Sequence, residues 1–206
     1  MGTEHKMLRL CVTLCVLLRL QAAVTGGRDL VEESCQSIIC YPISKVAVYD
    51  EYEEVEVPSL HWLYTSVNGT DLETAANIAL DRLLDYSYLN NAAETIVPVS
   101  APWSVYINWQ LANGIAKPEF TFYILLPLEV QSPPEPRDPR VQIDIMPQEA
   151  GYESYWITEQ KNEDYLKLAN DLKRHLEDDQ RSFDSSGFYI TWFNTRGHFK
   201  IIFLKK

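Results

Sequence analysis

The segment that most constrains this chain is Ser132-Pro-Pro-Glu-Pro-Arg-Asp-Pro139, with four prolines in the seven residues from Pro133. Proline fixes φ and lacks an N–H, so a run this dense is excluded from a helix interior or a central strand. It predicts a stiff, extended connector. The chain therefore reads as two units, one on each side of it.

The first unit opens with an extended run from Val46 to Val57, in which Glu53, Val55 and Val57 alternate with Glu54 and Glu56. After Pro58, His61 to Val67 is again rich in β-branched and aromatic residues, as strands are. Thr70-Asp-Leu-Glu73 has the spacing of a capping box. Leu72, Ala75, Ala76, Ala79 and Leu83 follow as one apolar stripe at helical spacing. Two more strands are expected at Ile96–Trp109 and Phe120–Leu126, joined through Asn113-Gly114 and Pro118. Beyond the connector the order restarts. Val141, Ile143 and Ile145 alternate as a strand. A helix is expected from about Glu159 to Glu177, with Tyr165, Leu168, Ala169, Leu172 and Leu176 on its buried stripe. Lys173, Arg174 and His175 suit its C-terminal dipole. Phe188–Phe193 and Phe199–Leu204 close the chain as a hairpin across Asn194–Gly197. The fold class is α+β, a duplicated strand-helix-strand-strand unit, with the repeat in element order and not in sequence identity.

The first 26 residues are set apart. Lys6 and Arg9 precede a short apolar run interrupted by Arg19, and small residues follow, the order of a secretory signal peptide. The run is too short for a membrane span of about 20 apolar residues, and no later segment is long and apolar enough either. A cut after Gly26 leaves 180 of the 206 residues, a single-domain length. Residues 27–45 then form an N-terminal extension and residues 46–206 the folded domain. Cleavage removes Cys11 and Cys15 and leaves Cys35 and Cys40, which an oxidising compartment would join in a small disulfide loop; two free thiols are the alternative. Asn68-Gly69-Thr70 is an N-glycosylation acceptor.

Removing Lys6, Arg9, Arg19 and Glu4 from 18 basic and 29 acidic residues leaves 15 and 28, a net charge of −13. Such a surface repels phosphate backbones and anionic headgroups, which argues against nucleic-acid and peripheral membrane binding. It suits a cationic ligand, or serves solubility alone. Enzyme signatures are absent: there is no GxSxG elbow, no HExxH and no glycine-rich phosphate loop. Glu54 and Glu56 share a strand face and read as solvated charge on an edge strand.

Several phrases, in order, resemble the SOUL/haem-binding protein family from about Ala47 to the C-terminus. They are W-x-x-T-S-V at Trp62–Val67, the proline connector, Val141-x-Ile143, Lys161-Asn162, Leu168-Ala169, and Phe183-Asp184 followed by Tyr189. The resemblance implies a distorted antiparallel β-barrel flanked by two helices, and tetrapyrrole binding as the activity. The chain also departs from the family pattern. Thr95–Val99 keeps only its Pro98-Val99 end, Ser154 stands where an arginine is common, and Trp192–Gly197 lacks the usual glycine-tyrosine. Glu56 occupies the position of a histidine proposed as haem ligand in some members.

A haem site needs an apolar slot, an axial donor and often cations near the propionates. The candidate binding residues are His61, Trp62, Tyr64 and Glu56, with His61 as the possible axial ligand and Tyr52 nearby. The competing reading makes His61 an ordinary strand residue. His175 and His198 read as surface residues. Arg82, Lys117, Arg196 and Lys200 are candidate propionate partners, and Trp103, Trp109, Trp156 and Trp192 read as packing. The expectation is a secreted, non-enzymatic protein that sequesters or carries haem or a related porphyrin, without a protein-only metal site. The alternative is a secreted protein-interaction domain of the same fold that has lost haem binding; an acidic groove for an organic cation is a third reading.

Overall fold

The structure, a computed structural model, describes residues 43–68, 71–109, 119–157, 165–193 and 198–206. The leader 1–26, Cys35, Cys40, Lys117, Lys161-Asn162 and the 194–197 turn lie outside these residues.

Among the described residues, alternating apolar residues produce nine strands: β1 (Ser44–Val48), β2 (Glu53–Val57), β3 (Leu60–Asn68), β4 (Ser100–Asn108), β5 (Glu119–Leu125), β6 (Val141–Met146), β7 (Glu149–Ile157), β8 (Gly187–Trp192) and β9 (His198–Leu204). Among the described residues two helices, α1 (Leu72–Ser87) and α2 (Tyr165–Asp178), follow β3 and β7. The strands make one antiparallel sheet in the order β1-β2-β7-β9-β8-β4-β5-β3-β6. Setting β1 aside, each half is strand-strand-helix-strand-strand. Exchanging β2 with β6, β3 with β7, β4 with β8 and β5 with β9 reverses that order onto itself. The duplication expected from element order is therefore a pseudo-twofold, with β4 and β8 paired at its centre and each half's first strand placed on the other half's second.

This topology curls the sheet. β2 and β3 stand second and eighth in the order, yet only Pro58 and Ser59 separate them in sequence. β6 and β7 stand ninth and third, and only Pro147 and Gln148 separate them. The two ends of the sheet must roll toward each other for both short corners to close. Ser59 Oγ donates to the Met146 carbonyl at 3.0 Å, and Gln148 Nε2 to Glu56 at 3.5 Å, so the corners also touch. The result is a half-barrel flanked by two helices: β1 and β6 remain its edges.

The outer face is the main core. Leu63, Phe122, Phe188, Ile190, Phe199 and Phe203 point to it and meet Ala75, Ala79 and Leu83 of α1 and Ala169, Leu172 and Leu176 of α2. Both predicted helical stripes are thus the buried ones. The proline connector is held by its carbonyls: Tyr86 Oη donates to Pro134 O at 2.8 Å and Ala92 N–H to Glu135 O at 2.8 Å. Buried Asn91, in the loop after α1, bonds the Tyr86 and Thr95 carbonyls.

Four expectations are corrected. Val46–Val57 is two strands, because the chain reverses through Tyr49–Tyr52, where Tyr49 N–H donates to Tyr52 O. β2 is accordingly not an edge; β1 covers it, and Glu54 is buried against Lys205 while Glu56 is exposed. The N-cap of α1 is Asp71, whose carboxylate accepts from Thr74 N–H at 2.9 Å, in place of the Thr70 box. Finally, β7 fills a stretch where no strand was expected.

Candidate functional site

The face turned away from the helices carries the opposite set of alternating residues. On β3 these are Leu60, Trp62, Tyr64 and Ser66; on β5, Tyr123 and Leu125; on β8, Tyr189 and Thr191; on β9, Lys200, Ile202 and Leu204. Because the sheet curls around this face, it encloses a groove of about 610 Å³, open mouth included.

One wall comes from the sheet ends, with Val55 and Val57 of β2, Pro58 of one corner, and Met146 and Pro147 of the other. Leu60, Trp62, Leu125 and Phe193 form a second apolar cluster, against which Val57, Tyr123 and Met146 pack. The floor is aromatic. The Trp62 and Tyr123 rings meet edge to face at 6.3 Å, Tyr64 stacks on Tyr123 at 5.5 Å, and Tyr123 lies 6.0 Å from Tyr189. Ser104, between those two tyrosines on β4, is small enough to let their rings approach. Its hydroxyl is satisfied by Thr191 at 2.8 Å. Gly151 serves a similar end on β7: a Cβ there would sit 3.1 Å from Phe203 O and 3.3 Å from Ile202 Cγ2.

Burial shapes the polar groups. It pushes the Tyr123 phenol up to about 12 and the Tyr189 phenol higher still, so both remain protonated at neutral pH. Glu149, at the start of β7, lines the groove, and desolvation raises its carboxyl above the ordinary range. Beyond Gly151 on the same face, Glu153 is 2 % exposed and pairs with Lys200, which is 5 % exposed.

The sequence-derived candidates divide between the two faces. Trp62 lines the groove, and Tyr64 shares its face and packs on the groove's Tyr123. His61 lies on the opposite face, where its Nδ1 is 3.2 Å from the Val130 carbonyl. Glu56 is exposed at the corner. Tyr52 belongs to the main core, donating to Asp179 at 2.6 Å and accepting from Arg181 at 3.0 Å. Of the candidate cations, Arg82 is bound on the helix side to Ser66 O at 3.0 Å, and Lys200 is committed to Glu153. Lys117 and Arg196 lie outside the described residues. The residues that the sequence reading did not single out are Tyr123, Met146, Glu149 and Ile202. Their signal was strand parity with Trp62, legible only once the register is known.

Residues 40–202 match the family described as SOUL heme-binding protein. The chain belongs to the SOUL haem-binding family. The match starts within the segment 27–45. SOUL proteins are non-catalytic haem carriers, and the chain is a non-enzyme with them. No curated protein matches the chain. Among solved structures it is similar to a hydrolase from Listeria innocua, at 11 % identity and a TM-score of 0.54, covering 78 % of this chain and 94 % of that one. A second likeness is to EcmrR in a DNA complex, at 8 % identity and a TM-score of 0.54, covering 99 % of this chain and 69 % of that one. At these identities the likeness is one of fold.

The groove fits a tetrapyrrole in part. Its aliphatic walls and aromatic floor suit a planar apolar macrocycle. Among the described residues its lining holds no histidine, and the donors these residues offer are the Met146 thioether and protonated phenols. Among the described residues, no cluster of three His, Cys, Asp or Glu side chains could hold a metal by itself. No helix among them is long and apolar enough to cross a membrane.

Proposed function

We propose that this SOUL domain binds a tetrapyrrole, haem or a related porphyrin, in the groove on the helix-free face and carries or sequesters it reversibly. The observation that carries this reading is the groove itself, apolar and aromatic, set at both proline corners of the half-barrel in a chain of a haem-binding family. Trp62, Tyr123, Val57, Met146 and Ile202 would hold the macrocycle. Each Å² of apolar surface removed from water contributes roughly 25 cal/mol. Binding rests on burial of the ring faces, with axial ligation by His61 not required. Haem supplies only its own iron and conjugated ring, and the protein supplies the slot.

The proposal includes secretion, with residues 1–26 as a removable leader, a Cys35–Cys40 disulfide in the extension, and residues 46–206 as the binding domain. The exposed side chain of Asn68, at the end of β3, supports its use as a glycan site. Titrating the purified chain with haemin and following the Soret band tests the binding. Saturable one-to-one binding with a shifted band is the expected result, and nonsaturating absorbance would leave the interaction-domain reading. A mass shift on enzymatic deglycosylation of protein expressed in a secreting cell tests the rest.

A further inference from the structure

We infer that the groove discriminates among tetrapyrroles by charge, taking uncharged or cationic macrocycles in preference to dianionic ones. The inference rests on the tetrapyrrole reading and deepens it. Its basis is the distribution of charge around the groove. Among the described residues, the lining contains no lysine, arginine or histidine, and Glu149 is its one Asp or Glu. Asp144, whose strand position is paired with Trp62, adds negative charge at the rim.

The two described lysines nearest the groove, Lys200 and Lys205, are already engaged. Lys200, on the groove face, is buried in its pair with Glu153, and its Nζ lies 5.2 Å from the Phe193 ring centroid. Lys205 is bound to Glu54, on the opposite face of the sheet. A haem that enters with two ionised propionates must either turn both to water or set them near Glu149. Like charges brought together where water is partly excluded repel more strongly than on an open surface. Masking the carboxylates removes that repulsion and leaves the face burial intact. A positive substituent gains an attraction to Glu149 and, over the faces of Trp62 and Tyr123, a cation–π contact.

The test compares haemin with its dimethyl ester on the full chain, both added from the same cosolvent, by Soret titration at low and high salt. The ester is expected to bind at least tenfold more tightly at low salt, with the gap narrowing at high salt as screening sets in. Glu149→Gln should narrow the gap, and Glu149→Lys should reverse it; circular dichroism establishes that both variants fold. Equal affinities for the two ligands, or tighter binding of haemin by the wild type, would overturn charge selection while leaving the tetrapyrrole reading in place. Failure of both ligands to saturate would overturn the tetrapyrrole reading, and this inference with it.

Discussion

Glu153 of β7 and Lys200 of β9 are diagonal neighbours on the groove face, each buried and each the other's ion-pair partner. A lysine and a glutamate are among the residues least often found in a protein interior without a partner. Here they stand side by side below the apolar groove, next to the Phe193 ring.

Breaking this pair should be costly, because it leaves one uncompensated charge buried. Lys200→Met or Glu153→Leu alone is expected to lower unfolding free energy by about 3–5 kcal/mol. The double variant should recover most of that loss, since two apolar side chains of similar volume need no compensation. Urea unfolding of the four proteins checks this. A double variant as unstable as the sum of the singles would show that the pair's packing, and not its charge, matters there.

His61 is predicted to be irrelevant to the ligand. Its ring is on the helix side of β3 and its Nδ1 faces the Val130 carbonyl, so His61→Ala should leave the Soret position and the affinity for haemin unchanged. A band shifted relative to wild type would place an axial ligand where the strand parity forbids it.

The connector carries a pH signature. Hydrogen bonds from the Arg140 guanidinium, followed by the Arg140 backbone N–H and the cation's field, hold the Asp138 carboxyl at about 2, although partial burial opposes them. In the unfolded chain it titrates near about 3.9. A folded value below the unfolded one means the contribution is complete above about pH 4 and disappears as the pH falls to about 2. Asp138→Asn should therefore lower the melting temperature at pH 6 and leave a shallower loss of stability between pH 4 and 2. Parallel acid titrations of the two proteins by thermal melting would show it.

The parts of the fold legible in the sequence were those whose pattern is read locally. The stripes at Ala75–Leu83 and Ala169–Leu176, the strand-like runs of β5 and β9, the alternation on β6, and the proline connector each announce themselves within a dozen residues. β7 did not, for a physical reason. Glu153 reads as solvent-facing until Lys200, 47 residues away, is known to neutralise it, and Gly151 reads as a break until its close approach to Phe203 is seen. The same holds for the groove. Trp62 was singled out from its neighbours in sequence, but the partners it needs, Tyr123, Tyr189 and Ile202, come from three other strands. His61 was grouped with Trp62 by adjacency, and in a strand adjacent residues occupy opposite faces.

The measurement that bears most directly on the groove is haemin titration of Val57→Trp beside the wild type. Val57 is partly exposed at the groove wall on β2, and an indole there fills the slot without removing any hydrogen bond. The account predicts a folded variant whose saturable Soret response is weakened at least tenfold. A folded variant that binds haemin as the wild type does would place the tetrapyrrole elsewhere on the protein.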